Sequence, residues 1–341
     1  AIATMIFDSV AFKNVVSNGL VLDKNGNKMS KRLGNAVDPF ETIEKYGSDP
    51  LRWYMITNAS PWDNLKFDVE GIEEVRRKFF GTLYNTYSFF ALYANVDGFT
   101  YSEPDVPMTE RPEIDRWILS LLNSLVKEVD EFYETYEPTR AGRAISDFVN
   151  DHLSNWYVRL NRRRFWGGGM TQDKLSAYQT LYRCLTTIAQ LMAPIAPFYA
   201  DQLYRDLVSP GVGATEDSVH LSDFPVAIEE EINEGLERSM YLAQSICSMV
   251  LALRRKVNIK VRQPLQHLLI PIVNEEDKLA IEPVVPLILS EVNLKELQFV
   301  TDGEGILVKR IRPDFKKLGP RYGKIMKAIA SAVADFSQEQ I

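Results

Sequence analysis

Between residues 69 and 208 apolar side chains return every three or four positions, the spacing that lines one face of a helix. Ile72, Val75, Phe79, Leu83, Tyr87 and Phe90 form the first such line. Ile114, Trp117, Leu121, Leu125, Val129, Phe132 and Tyr136 form the second, behind Pro112 as a first-turn proline. Residues 138–166 predict a third helix with Ala144, Phe148, His152, Trp156 and Leu160 on its apolar side, and residues 171–192 a fourth. Pro194 and Pro197 break the pattern into a fifth helix ending near Val208. Long amphipathic helices joined by short loops predict an antiparallel bundle.

The flanking segments have a different pattern. Near the start, IATMIF and GLVL read as strands of an α/β layer, with Asn18-Gly19 as a turn between them. Asp38-Pro39 is a helix start for PFETIEKYG, which Gly47 ends, and Asp49-Pro50 opens a second helix the same way. Past the bundle, VSPGVGATEDSV marks an excursion or boundary. A helix over 229–258 then precedes three strand-like runs, HLLIPIV, LKELQFV and ILVKRI, with a helical stretch between the first two. The expected fold is mainly α, with an α/β portion at 1–68, a helical bundle at 69–226, and a helix plus small α/β unit at 227–341.

Composition narrows the function classes. A chain of 341 residues that is 45% hydrophobic can bury more than one core. The most apolar run, IAQLMAPIAPFYA, is too short and too proline-rich to span a bilayer. The two cysteines, Cys184 and Cys247, have neither disulfide-framework nor zinc spacing; they read as buried thiols in a reducing cytoplasm, and no metal site is expected. A net charge of −7 argues against a uniformly basic RNA binder but not against local basic patches. The apolar opening AIATMIFDSVAF has no charged leader or cleavage pattern, so the chain is expected to begin inside a longer protein.

The sharpest chemical signal is GLVLDKNGNKMSKRLGNAVDP at 19–39. It places Lys28, Met29, Ser30, Lys31 and Arg32 between glycines, after a strand and before a helix. Two lysines on such a loop suit a polyphosphate whose charge builds during phosphoryl or nucleotidyl transfer. A lysine ammonium is a compact charge on a mobile stem and follows a leaving group as bonds lengthen. Ser30 and Asn35 are either loop organisers or simple turn and cap residues.

A second run, WYVRLNRRRFW, interleaves Arg159, Arg162, Arg163 and Arg164 with Trp156, Tyr157, Phe165 and Trp166. Arginine pairs with phosphate while aromatic rings stack on unpaired bases, so at least two of these arginines are expected to meet RNA. Helical spacing puts Trp156 in the bundle core and leaves Trp166 undecided. Arg76, Arg77 and Lys78 fall on a solvated helix face, and Arg254, Arg255, Lys256, Lys260 and Arg262 either favour a helix C-terminus or touch RNA.

Taken with LGNAVDP and YGSDPLRWY, the KMSKR loop resembles the second signature of class I aminoacyl-tRNA synthetases, which activate an amino acid with ATP and load it onto tRNA. Within the class, SPWDNLKFD and NWYVRLNRRRFWG are more similar to the isoleucyl enzymes than to the valyl or leucyl ones. Arg32, KVRQPL and RPDFKKLGP resemble their eukaryote-like branch, which lacks a C-terminal zinc ribbon. The resemblance, from about Ile2 to Ala330, implies the end of a Rossmann-type catalytic domain followed by an anticodon-binding bundle. It gives Lys28 and Lys31 the role of stabilising the α-phosphate transition state and the departing pyrophosphate. Met29 would lie on the adenine side, with its backbone recognising the base, so that Lys28, Met29, Ser30 and Lys31 form the ATP contact. Arg159, Arg162, Arg163, Arg164 and Trp166 are the tRNA candidates. The implied partners are ATP with Mg2+, isoleucine, tRNA(Ile) and the N-terminal remainder of the same enzyme, which would act as a cytoplasmic monomer.

The early His-x-Gly-His-type motif of the class is absent: His152, His220 and His267 lack its context. The resemblance therefore implies that this chain alone makes no adenylate and that its loop, Asn25 to Gly34, is mobile. Another class I ligase, valyl being nearest, and a stand-alone tRNA-binding module without catalysis are the competing readings.

Overall fold

A computed structural model describes residues 2–208, 216–272, 274–300, 313–334 and 336. The chain forms two compact units, Ala1–Asn233 and Glu234–Ile341.

The first unit opens with α1, Ile2–Phe7, where the apolar run predicted a strand. So short a run, apolar but for Thr4, carries no periodicity that separates helix from strand, and none of its side chains lies in the core. The α/β layer is correspondingly small. Strands β1, Val21–Leu22, and β2, Leu65–Lys66, pair in parallel, with Val21 opposite Leu65. Between them run α2, Pro39–Tyr46, and α3, Ser48–Asn58.

The Asp38 carboxylate caps α2 by accepting from the Phe40 and Glu41 N–H groups, and Pro39 takes the first turn as expected. Helix α3 differs. It begins at Ser48, one residue ahead of the expected Asp49 cap, and Asp49 is buried with its Oδ2 accepting from the Tyr199 N–H at 2.6 Å. The Asp-Pro pair there serves a tertiary contact instead of a cap. Burial raises the Asp49 carboxyl above its ordinary value despite that bond.

The bundle follows the predicted order. Helix α4, Val69–Val75, continues through a wide turn at 76–80 into α5, Gly81–Asp97. Helix α6, Glu113–Glu134, is buried over most of its circumference, from Trp117 and Ile118 to Val129. It ends before Tyr136, which adopts a left-handed backbone (φ 60°) and is exposed rather than in the apolar line. Helix α7, Pro138–Asp147, passes through wide turns over 148–158 into α8, Arg159–Trp166. Helix α9, Gln172–Met192, and α10, Pro197–Leu207, complete the unit.

The buried side of the 138–166 helix is offset from the expected line. Ile145, Val149, Leu153, Tyr157 and Phe165 are buried, whereas Ala144, His152, Trp156 and Leu160 are only half-buried. The offset is already present in the regular turns of α7, where Ile145 is buried and Ala144 is not, and it carries through 148–158, where Tyr157 takes the core position beside Trp156.

The α/β portion is fastened to the bundle through α3. The Trp53 Nε1–H donates to Ser146 Oγ at 3.1 Å, Arg143 Nε to the Thr57 carbonyl at 2.8 Å, and Thr139 Oγ1 to the Ile56 carbonyl at 2.7 Å. Trp53 is fully buried and stacks on Phe79 at 4.3 Å.

The second unit contains α11, Glu234–Lys256, then β3, Leu265–Pro271, α12, Glu275–Ile281, α13, Val285–Val292, and β4, Leu294–Val300. Strands β3 and β4 pair in parallel, with His267 opposite Glu296 and Ile270 opposite Phe299. A parallel pair needs a crossover, and α12 with α13 supplies it. The predicted strand ILVKRI lies outside the described residues, as do positions 209–215 of the predicted boundary. Short helices α14, Phe315–Tyr322, and α15, Met326–Ala334, end the described chain. Among the described residues no helix is long and apolar enough to cross a membrane.

Candidate functional site

The loop after β1 is held by one carboxylate and one amide. Asp23 Oδ1 accepts from the N–H groups of Asn25 (3.0 Å) and Asn27 (2.8 Å). Its Oδ2 accepts from Asn35 Nδ2 at 3.0 Å. The backbone N–H of Asn27 and the Asn35 amide hold the Asp23 carboxyl below the usual carboxylate range. Gly26 sits at φ 87° in the turn between these anchors, a backbone that side chains other than glycine rarely adopt.

The signature itself is a short turn. Ser30 Oγ accepts from the Leu33 N–H, and Gly34, at φ 66°, closes a single helical turn over Lys31–Leu33. Lys28, Lys31 and Arg32 are exposed. Met29 points the other way. Its side chain packs against the cluster of Leu51, Tyr54, Leu65, Phe67 and Ile72, and it lines an apolar cavity of about 150 Å³ with Val21, Val37, Pro39, Thr42 and Met55. The thioether therefore anchors the loop to the core, and the lysines flanking it carry their charge outward. Asp23 was missed from sequence, although Asp-Lys-Asn-Gly is a turn pattern in which an Asp side chain accepts from the backbone two residues on.

The arginine run divides in two. Arg164 turns inward, its Nη1 and Nη2 donating to Asp115 Oδ1 (2.6 Å) and Oδ2 (2.8 Å), and its Nε to Asp173 Oδ2 at 3.0 Å. Asp115 is fully buried and also accepts from Tyr157 Oη and Ser176 Oγ. Arg162 and Arg163 are exposed and form no ion pair among the described residues. Arg159 is exposed, with Nε donating to the Asn155 carbonyl at 2.7 Å. Trp166 is 57% exposed, whereas Phe165 beside it is buried edge-on against Phe89 and Tyr178. The three glycines after Trp166 leave that end open, with the Gly167 carbonyl accepting from the buried Lys174 Nζ.

The other basic clusters are mixed as well. Arg76 pairs with Glu73 at 2.8 Å and Lys78 with Glu74, both on an exposed helix face. In the second unit Arg254 is buried and donates to the carbonyls of Lys260, Gln263 and Asn293, so its charge serves loop closure; Arg255, Lys256, Lys260 and Arg262 are exposed. Among the described residues no three His, Cys, Asp or Glu side chains converge as metal ligands would. Cys184 and Cys247 are buried and form no disulfide, and burial pushes the Cys184 thiol up to about 12.

Known proteins extend this geometry. Residues 1–68 match the family described as tRNA synthetases class I (I, L, M and V), and residues 115–269 match the anticodon-binding domain of tRNA ligase. The chain is 73% identical over 343 residues to an isoleucine–tRNA ligase of Bacteroides fragilis, covering 100% of this chain and 30% of that protein. It is 70% identical over 341 residues to that of Porphyromonas gingivalis, again covering 100% of this chain and 30% of the relative. With the ligase of Thermus thermophilus it shares 40% over 332 residues, covering 97% of this chain and 32% of the relative. The chain thus spans about 30% of the length of the curated relatives it matches most strongly. With a lysine loop braced beneath its signature and two family matches on either side of α4 and α5, this chain belongs to the class I tRNA synthetases, among the isoleucine–tRNA ligases.

Proposed function

We propose that this chain is the portion of an ATP-dependent isoleucine–tRNA ligase that supplies the phosphate-facing loop and a tRNA-binding bundle. Residues 1–68 end the catalytic domain, 69–226 form the anticodon-binding bundle, and 227–341 form a C-terminal unit. The observation that carries this reading is the orientation of the signature: Met29 and Asn35 hold the backbone, and Lys28 and Lys31 extend from it into solvent. ATP, with Mg2+, would meet these ammonium groups as its α-phosphate becomes pentacoordinate and pyrophosphate departs. Charge placed in advance where charge develops stabilises that state more than the ground state. Isoleucine is favoured over valine as the amino acid by the identity to isoleucine ligases across the whole chain.

tRNA contact is assigned to Arg162 and Arg163, flanked by Arg159 and Trp166. Arg164 lies outside this surface because its guanidinium is committed to Asp115 and Asp173. The enzyme would work as a cytoplasmic monomer, and the isolated chain would form no adenylate, since two lysines act only on a substrate already held in line.

The test is Lys31→Ala in the complete ligase. Removing one charge-stabilising group costs about 3 kcal/mol, so kcat for isoleucine-dependent ATP–pyrophosphate exchange should fall about a hundredfold with little change in the KM for ATP. Exchange within about threefold of wild type would remove the loop from the chemistry.

A further inference from the structure

We propose that Asn35, oriented by Asp23, is the positioning residue that sets where Lys28 and Lys31 deliver their charge; this rests on the phosphate role assigned to the loop above. Asn35 uses its whole amide on the signature. Its Oδ1 accepts from the Ser30 N–H at 2.9 Å, and its Nδ2 donates to the Lys28 carbonyl at 3.3 Å and to Asp23 Oδ2 at 3.0 Å. The backbone is therefore pinned on both sides of Met29, one residue from Lys31. Gly34 makes this possible: its left-handed φ of 66° reverses the chain and lets residue 35 reach back to residue 28.

Asp23 is the fixed end of the brace. It follows directly on β1, and its other oxygen is taken by the Asn25 and Asn27 N–H groups. The Asp23 N–H donates to the Asn27 carbonyl at 2.8 Å, and Leu22 bridges to Lys28. The lysine backbone is thus referred to the strand, while neither lysine side chain has a hydrogen-bond or ion-pair partner among the described residues. That division suits an electrostatic role: a fixed base with a charge free to meet its ligand.

The chemistry of the side chain is specific. One group must accept from Ser30 and donate twice, to Asp23 and to Lys28. A carboxylate cannot donate, and alanine can do neither. A displacement of about 1 Å in a charge-stabilising group can lower a rate by about a hundredfold without loss of the fold.

The experiment uses the complete ligase carrying Asn35→Asp, which keeps size and the acceptor for Ser30 but faces Asp23 with a second carboxylate. Exchange kcat should fall about tenfold or more, with the KM for ATP and the affinity for tRNA within about threefold of wild type. The paired exchange Asp23→Asn with Asn35→Asp restores one donor and one acceptor across the 23–35 gap while the bond to the Lys28 carbonyl stays lost, and should recover part of the lost kcat. A merely structural role would move KM, tRNA affinity and thermal stability together, with no recovery in the paired variant; that pattern overturns the proposal. So does an Asn35→Asp enzyme with kcat within about twofold of wild type when Lys31→Ala is impaired. If Lys31→Ala is itself silent, the phosphate role fails, and this positioning role fails with it.

Discussion

Arg164 and Asp115 face each other across the interior of the bundle in a two-pronged ion pair, with guanidinium to carboxylate distances of 2.6 and 2.8 Å. Tyr157 and Ser176 donate to the same carboxylate, so Asp115 receives four hydrogen bonds in a site closed to solvent. Burial acts to lower the Arg164 pKa, but the carboxylates of Asp115 and Asp173 outweigh it and raise it, so the guanidinium stays charged. Burial also raises the Tyr157 phenol well above its ordinary value, which keeps it a donor.

Removing one partner of that pair leaves a buried charge without its counterion, at a cost of about 3–5 kcal/mol. Arg164→Ala should therefore lower the stability of the first unit by several kcal/mol in urea unfolding, and Arg162→Ala, an exposed change, should stay within about 0.5 kcal/mol of wild type. Equal midpoints for the two variants would contradict the assignment of Arg164 to the interior.

For RNA the order is reversed. Arg162→Ala with Arg163→Ala should weaken tRNA binding and reduce the slope of log K against log salt by about one to two units, one for each phosphate no longer neutralised. Filter binding over a salt series measures this. Trp166→Ala should lower affinity with the slope unchanged, because stacking releases no counterions. A double-arginine variant with wild-type slope would return both side chains to the solvated surface.

The contact between α3 and α7 leaves no room at Gly142. A Cβ there would lie 2.6 Å from Thr57 Cγ2 and 3.4 Å from Ile195 Cδ1. Gly142→Ala should destabilise by about 1–3 kcal/mol through overpacking. Adding Thr57→Ser, which removes the clashing methyl and keeps the hydroxyl that donates to the Trp53 carbonyl, should restore part of the loss in thermal melts. Failure of the second change to help would place the strain elsewhere.

Asp97 gives the acid limb of stability. Burial would raise its carboxyl, but the hydrogen bonds from Lys174 and Tyr178 and the Lys174 charge outweigh it and hold it below the ordinary aspartate value. A carboxyl depressed in the folded state stabilises fully above its unfolded value of about 3.9 and loses that contribution as pH falls through the lower folded value. Asp97→Asn should be less stable than wild type at neutral pH, and its melting temperature should fall less steeply between about pH 4 and pH 2. Parallel curves across that window would exclude Asp97 as a contributor.

Periodicity located the long helices of the bundle, since a stripe repeating every three or four residues has one low-energy solution over tens of residues, and Asp38-Pro39 with Gly47 marked the ends of α2. The lysine signature was equally legible, because its residue identities carry the chemistry. Where sequence reading failed, the deciding term came from a distant partner. IATMIF is apolar enough for either conformation, and Leu65 and Phe67 pair with the backbone of Leu20 and Leu22 instead, leaving residues 2–7 helical. Trp156 loses the core to Tyr157 because the helix faces the bundle along Ile145, Val149 and Leu153, a line chosen by the helices packed against it and not by local spacing. Adjacent arginines look alike in sequence; only the approach of Asp115 and Asp173 from other helices sends Arg164 inward and leaves Arg162 and Arg163 outside. Asn35 was legible as a turn residue, but its hold on Lys28 and Ser30 depends on the left-handed reversal at Gly34, which folds the chain back within hydrogen-bond reach.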